Sequence, residues 1–444
     1  MDEALKNKRY IFDPLYGINY FPDFVWNVIN SPELQRLREV RLCNINSFCL
    51  VGAANINRYE HAIGTCILAK ECLNSWPLFN PISKKEYELF LLAALFHDIT
   101  SAAFGHSVEY IESKEGFEHE KAFEYIVLGK KSSNYNYKSV TLEPIFFGMC
   151  RELLSRLTEE DLKIIGKIIA GKGRFGPLIN SDIDLDNIDN VFRLGYHIGI
   201  VKSGDIPLEL AKSLYIESDK LIAREESIPL FEMWYNVRKN LYSLLLLNPE
   251  EFSAKCMLSE AIEIAKVKNI RPFNWYHVDF EVLEKLSKKS SETSVIISRL
   301  MTGNLYGCAG IFSTKKTEFF KIFNDLKRKE EIENDIKNKI QENSNLKFKS
   351  LIIKIHIIVD INKTERKINI TTENKKFISI GNSSNQLLIG VFFKNVDLNF
   401  QGILNIPSHL IYKIHQIIIN YLSNILNDPE LKKIELYNEI KEQI

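Results

Sequence analysis

Leu91-Leu92-Ala93-Ala94-Leu95-Phe96-His97-Asp98 is an apolar run that ends in an adjacent imidazole and carboxylate. A rigid apolar helix with polar groups at its end is a sound support for a metal ion. Upstream, Ser83-Lys84-Lys85-Glu86 matches a capping box and sets the helix start just before the run. His97 and Asp98 then fall at the C-terminal end of that helix. Neither residue is informative alone, so the reading depends on what else could reach them.

His61 opens the preceding helix, on which Ile63, Ile67, Leu68 and Cys72 recur at helical spacing. Asp186 begins a later helix that runs to about Ile200. His61, His97, Asp98 and Asp186 could converge inside a helical bundle. Two histidines and two carboxylates suit manganese, iron or zinc better than calcium or magnesium, which prefer oxygen alone. A metal so held, with coordination positions left open, lowers the pKa of bound water and polarises a phosphoryl oxygen. That is hydrolytic chemistry on a phosphate ester or anhydride. A His-Asp dipeptide also occurs by chance, and His61 alone could be a surface residue at a helix start, so spacing by itself leaves both readings open.

The 444-residue chain is long enough for a large core and two structural units. Its 57 basic and 57 acidic residues cancel, which argues against a surface built throughout for nucleic acid. No apolar run approaches the roughly 20 residues of a membrane span, and the acidic start Met1-Asp2-Glu3-Ala4 is unlike a signal peptide. Seven scattered cysteines without a CxxC pair fit reduced thiols in a cytoplasmic protein.

Secondary-structure signals favour helices through about residue 345. Ser31-Pro32-Glu33 reads as a helix start, continuing through Leu34, Leu37, Val40 and Leu42. Short helices are expected at 106–111 and from 118, then helices over 144–170, 206–222, 228–247 and 251–267. Leu326 to Gln341 is a charged helix. Beyond it β-branched residues dominate Leu351 to Val359, and Ile368 to Ile370 and Leu387 to Phe393 look like strands. Ile406 to Leu426 and Leu431 to Ile444 return to helix. The expected architecture is mostly α: a helical unit over 1–345 and a small α+β unit over 346–444.

Asn57-Arg58-Tyr59-Glu60-His61, His97-Asp98, His106 and Asp184-Leu185-Asp186 occur in an order that resembles the HD superfamily. The likeness is to its dNTP triphosphohydrolases, the bacterial dGTPase-type enzymes and the vertebrate HD enzyme with a sterile-α-motif domain. Asp13-Pro14-Leu15-Tyr16-Gly17 and Gln35-Arg36-Leu37-Arg38 are similar to two further family segments, so the resemblance spans about residues 10–250. It implies a helical HD bundle with His61, His97, Asp98 and Asp186 as metal ligands. His106 would be the general acid for the leaving oxygen, Glu109 would orient it one helical turn on, and His119 would be a second active-site histidine. Arg58 and Arg238 would hold the triphosphate, with Tyr242 lining the substrate. The cofactor would be manganese, iron or zinc, with additional magnesium arriving on the nucleotide. The resemblance further implies a nucleotide substrate, a nucleotide activator, a homo-oligomer, and the antiviral dNTP depletion of some bacterial relatives. It gives no support for a nucleic-acid or membrane partner.

Several positions depart from the family pattern. Ser101 replaces a histidine after His97-Asp98. Asn187 stands where a cation commonly follows the metal aspartate. Asn190 and Leu194 replace a sugar-reading tyrosine and aspartate, and Leu42-Cys43-Asn44 replaces a Gln-Leu-Gly element. Altered hydrogen-bonding groups change substrate preference more than reaction type. Two other functions therefore stay beside the leading one. One is an HD phosphohydrolase acting on a monophosphate, cyclic or oligonucleotide signal. The other is a nucleotide-sensing regulator with little catalysis. His197, His277, His356, His409 and His415 read as structural.

Overall fold

The computed structural model describes residues 9–43, 45, 48–105, 123, 140–141, 155–267, 273–274, 276–343, 351–399, 402–403 and 405–434. The helices expected at 106–111, from 118 and over 144–154 lie outside them, as do residues 435–444 of the last expected helix. The fold is mostly α, with small sheets, as the pattern of apolar residues predicts.

A hairpin of Tyr10–Asp13 (β1) and Gly17–Tyr20 (β2) opens the described chain. Asp23–Ile29 (α1) and Pro32–Arg36 (α2) follow, the second capped by the Ser31 side chain. The expected continuation of α2 to Leu42 is cut short. A single 3-10 turn over Leu37–Glu39 intervenes, and Arg41 then bridges to Asn57. Arg58–Asn74 (α3) starts where the Asn57 side chain accepts from the Glu60 N–H. Lys84–Phe96 (α4) starts at the expected Ser83–Glu86 capping box. Leu89 to Phe96 are all buried, so α4 is apolar around its whole circumference and sits in the middle of the bundle. Burial of each large side chain there contributes about 1.5–3 kcal/mol. Glu159–Ile169 (α5), Leu185–His197 (α6) and Asp205–Ser213 (α7) pack around α3 and α4.

The helix expected over 206–222 ends at Ser213. Leu214–Glu217 (β4) and Lys220–Ala223 (β5) instead form a hairpin whose turn residues, Ser218 and Asp219, both have positive φ. Tyr215, Ile216 and Ile222 favour strand, and two left-handed residues fit a tight hairpin turn. Ile228–Leu247 (α8), Pro249–Val267 (α9), Asp279–Ser287 (α10) and Ser291–Met301 (α11) complete the central helices. Among the described residues no helix is long and apolar enough to cross a membrane.

Strand Gly307–Thr314 (β7) breaks the expected helical run before residue 345. Val140–Thr141 (β3) and Phe273–Asn274 (β6) form a short parallel pair before it. Phe320–Asn324 (α12) and the expected charged helix, Leu326–Asn343 (α13), lead into Ile353–Ile361 (β8), Ile368–Thr372 (β9), Phe377–Ile380 (β10) and Asn385–Phe393 (β11). Ser408–Leu426 (α14) follows. Lys432–Lys433 (β12) is strand where helix was expected, because it pairs with β7. One sheet runs β12-β7-β11-β8 and the other β10-β9-β5-β4. Each therefore combines strands from before and after residue 345. The first is buried between α9 and α11 on one side and α13 and α14 on the other. The second packs Ile368, Ile370 and Ile380 onto the core of the α3–α4 bundle. Through this second sheet the loop between β8 and β9 is brought to α6 and α8.

Candidate metal centre

His61 lies in the first turn of α3, His97 caps the C-terminus of α4, Asp98 follows it, and Asp186 lies in the first turn of α6. The packing of these three helices brings the side chains together. One ligand atom each from His61, His97 and Asp186 all fall within 4.8 Å of one another. Asp186 Oδ1 is 2.9 Å from His61 Nε2 and 3.5 Å from His97 Nε2. Asp98 Oδ2 is 3.9 Å from both imidazole nitrogens. Three of the four expected ligands thus cluster, and Asp98 lies beside them with both its oxygens 2.6 Å from Arg58 Nη1.

The far nitrogen of each imidazole is fixed. His97 Nδ1 lies 2.8 Å from the Ala94 carbonyl, and His61 Nδ1 lies 2.7 Å from Asp189 Oδ2. A carbonyl and a carboxylate only accept, so each Nδ1 carries a proton and donates it. In the neutral ring the lone pair is then on Nε2. The two Nε2 atoms are 3.0 Å apart and both face Asp186 Oδ1, which only accepts, so without a metal His61 Nε2 carries a proton. A divalent cation at that point would displace the proton and take both Nε2 lone pairs. The donor set of two imidazoles and two carboxylates fits a divalent transition ion. Burial, the largest single influence, pushes the His61 pKa down. The Asp186 and Asp189 carboxylates outweigh it and hold the value up at about 10, the same negative field that attracts a metal.

Asp189 was not anticipated from sequence. It sits one turn after Asp186 and is fully buried. Tyr16 donates its hydroxyl to Asp189 Oδ1 at 2.8 Å, and Arg193 pairs with both carboxylate oxygens at 2.9 and 3.0 Å. Arg193 continues to Asp13 at 3.0 Å and to Glu60 at 2.7 Å, and Glu60 also meets His197. This chain of charges ties the Asp13–Tyr16 turn to the metal-facing imidazole and has His197 as its outer end, through Glu60. Gly64 on α3 makes room for it. A Cβ there would lie 2.1 Å from both Arg193 Nη2 and Asp189 Oδ1.

Asp98 is supported from the other side. Its Oδ1 accepts from Ser101 Oγ at 2.9 Å and from Arg58 Nη1 at 2.6 Å. Arg58, expected on a phosphate, is thus engaged with a metal-facing carboxylate. Ser101, the departure from the family pattern, orients the same group. Arg36 of the Gln35–Arg38 segment clamps the turn by donating to the carbonyls of Ile99 and Ser101.

The remaining expected site residues are placed as follows. Asn187 donates its amide to Asp184 and accepts from Arg366 Nη1 at 3.1 Å. The Asn190 side-chain oxygen is buried and accepts no hydrogen bond among the described residues. Arg238 donates to the carbonyls of Lys363 at 2.8 Å and Asn362 at 3.0 Å, with its guanidinium 4.2 Å from the Tyr242 ring centroid. It therefore holds the β8–β9 loop. His106, Glu109 and His119 lie outside the described residues.

Residues 58–190 match the model of the HD domain. The chain carries an HD domain. HD domains bind divalent metals, and the His61–His97–Asp186 cluster could hold one. The chain is 21% identical over 323 residues to the deoxynucleoside triphosphate triphosphohydrolase SAMHD1 homologue of Dictyostelium discoideum, covering 68% of this chain and 60% of that protein. It is 24% identical over 265 residues to the uncharacterized protein YwfO of Bacillus subtilis, covering 59% and 57%. Against the bovine deoxynucleoside triphosphate triphosphohydrolase SAMHD1 the figures are 25% over 243 residues, covering 49% and 41%. The HD-domain chain thus spans about 60% of the length of the first of these relatives, and less of the other two. In fold it is similar to a phosphohydrolase from Bacteroides thetaiotaomicron, with a TM-score of 0.60 at 16% identity over 88% of this chain and all of that one. A hypothetical protein from Aquifex aeolicus superimposes with a TM-score of 0.61 at 17% identity over 93% of this chain and all of that one.

Proposed function

We propose that this protein hydrolyses deoxynucleoside triphosphates at the α-phosphate, releasing the deoxynucleoside and inorganic triphosphate. The observation that carries the reading is the pair of His61 and His97 Nε2 atoms, 3.0 Å apart and both facing Asp186 Oδ1, with each Nδ1 committed elsewhere so that Nε2 is the atom available to a metal. A divalent ion bound there, manganese, iron or zinc, supplies a Lewis acid for a phosphoryl group and lowers the pKa of water. Asp98 and Asp186 complete the donor set. Asp189 and the Ala94 carbonyl fix the imidazoles, so little reorganisation is needed during reaction. His106 takes the role of general acid for the leaving 5′-oxygen, Glu109 that of the carboxylate expected to orient it, and His119 that of a second active-site histidine. These roles rest on the sequence resemblance and on histidine's ability to titrate near neutral pH. The likeness to named triphosphohydrolases supports a nucleotide substrate.

The buried Asn190 oxygen, which accepts no hydrogen bond among the described residues, favours a second reading, an HD phosphohydrolase whose pocket reads a different nucleotide. One experiment separates the two. The purified protein is incubated with manganese and each deoxynucleoside triphosphate, singly and mixed, because a nucleotide activator at an oligomer interface would leave single nucleotides silent. Released tripolyphosphate is the expected product. Orthophosphate or pyrophosphate instead would move the activity to the second reading. No turnover with metal bound would sink the first.

A further inference from the structure

The β8–β9 loop, residues 362–367, is far from the HD segment in sequence yet reaches it in space. It is built, not draped. Asp360, fully buried, accepts from the backbone N–H groups of Lys363 and Thr364 at 3.0 Å each and from Ser384 and Gln386. Asn362 takes a positive φ, and Arg238 fastens the carbonyls of Asn362 and Lys363.

This construction presents cations without matching anions. Arg366 makes no ion pair among the described residues, and its Nη1 rests on the neutral amide of Asn187, next to the metal-facing Asp186. Lys363 has no ion pair or side-chain hydrogen bond among the described residues. Burial, partly offset by the Asp360 charge, holds its pKa down. Lys255 of α9 lies within reach of the Lys363 charge. Burial first, then Lys363, brings Lys255 down to about 8 against the opposing pull of Glu251. The other loop acid, Glu365, is paired outward with Lys239 at 2.8 Å. Half-buried cations that make no ion pair among the described residues are stabilised by a polyanion.

We propose that the β8–β9 loop is a polyphosphate-binding element of this site. Arg366 at Asn187 and Lys363 beside it take the terminal phosphates of a nucleotide whose α-phosphate lies at the metal centre. The proposal rests on the triphosphohydrolase reading for its choice of nucleotide. Guanidinium and phosphate pair through charge-assisted hydrogen bonds, and a triphosphate presents charge at the distance from the metal that a monophosphate lacks.

The test is equilibrium binding of inorganic tripolyphosphate and of a deoxynucleoside monophosphate to the full chain. Metal content and thermal midpoint are recorded for every variant. Arg366→Ala should weaken tripolyphosphate roughly 10- to 100-fold and shift the monophosphate by less than about threefold. Adding Asn187→Lys to Arg366→Ala returns a cation to the same spot and should recover at least about tenfold of the loss, which a merely damaged loop would not allow. The proposal is overturned if Arg366→Ala binds tripolyphosphate within about twofold of the parent chain, or if both ligands weaken equally. It is overturned too if the parent chain binds no tripolyphosphate. Failure of the hydrolysis reading is separate. No turnover of any deoxynucleoside triphosphate, with tripolyphosphate binding still dependent on Arg366, sinks that reading and leaves the loop's role standing.

Discussion

Gly64 shows how one missing Cβ supports a metal site. A helix-interior glycine normally costs about 1 kcal/mol relative to alanine, so the local rule makes Gly64→Ala stabilising. Here the added carbon would meet Arg193 and Asp189 at 2.1 Å, inside the charge chain that steadies His61. The expected outcome is the reverse, a loss of about 1–3 kcal/mol in unfolding free energy together with lower bound metal, read by thermal denaturation and elemental analysis. Asp189→Asn keeps the shape but weakens the partner of His61 Nδ1. It should cost about 10- to 100-fold in metal affinity by calorimetric titration, and an unchanged affinity would show that His61 needs no such support. The clustering of His61, His97 and Asp186 was legible through the ordered family segments that contain them, since the His-Asp dipeptide alone also occurs by chance. Asp189 was not, although it is one helical turn from Asp186. An acid near a helix start reads as a solvated, dipole-favoured side chain, and its burial depends on Arg193, Tyr16 and Asp13 arriving from elsewhere.

At the scale of elements, the strongest local signals were the most faithful. The Ser83–Glu86 capping box and the apolar run after it give α4 with the expected boundaries. The hairpin at 214–223 was hidden because Leu-Tyr-Ile continues the apolar spacing of α7. Only the Ser218-Asp219 turn separates the two outcomes, and neither residue is the glycine that marks such turns. Strand β7 was hidden for a different reason. It is buried on both faces, and its small residues, Gly307, Ala309 and Gly310, show no alternation. The β8–β9 loop depends on the Asp360 carboxylate. Burial raises its pKa, but the hydrogen bonds from Gln386, Ser384 and Thr364 outweigh that and hold it below the ordinary 3.8. A depressed carboxylate contributes stability that is complete above 3.8 and is lost as pH falls through the folded value. Asp360→Ala should therefore loosen residues 362–367 at neutral pH, seen as faster amide hydrogen exchange there. Unchanged exchange would mean that Arg238 alone holds the loop.

For the molecule as a whole, acid stability should turn on His356, which faces Phe252 across the interface between β8 and α9. Burial, then the Lys329 and Lys255 charges, bring its pKa down to about 3 from 6.5. The unfolded chain takes up the proton first as pH falls below 6.5, so stability present above that pH is lost on the way down. Between pH 7 and 5 the loss from this one group is about 2 kcal/mol. His356→Leu should flatten that part of the curve of thermal midpoint against pH. An identical slope would assign the acid sensitivity elsewhere. The fold class was readable in the sequence from helical periodicity and the late shift to β-branched residues. The interleaving of the two sheets was not, because strand pairing between distant segments leaves no mark on local composition.

That interleaving also sets an order of assembly. All four metal-facing residues have been synthesised by Asp186, yet β7 has no neighbour until residues 385–393 emerge, and Arg366 arrives only shortly before them. At ribosomal rates of about 5–20 residues per second, a nascent chain spends roughly 10–35 seconds with its imidazoles made and residues 363–366 still missing. A chain halted in that interval would hold the clustered imidazoles and carboxylate but lack the β8–β9 loop, so the complete site would coincide with closure of the last sheet.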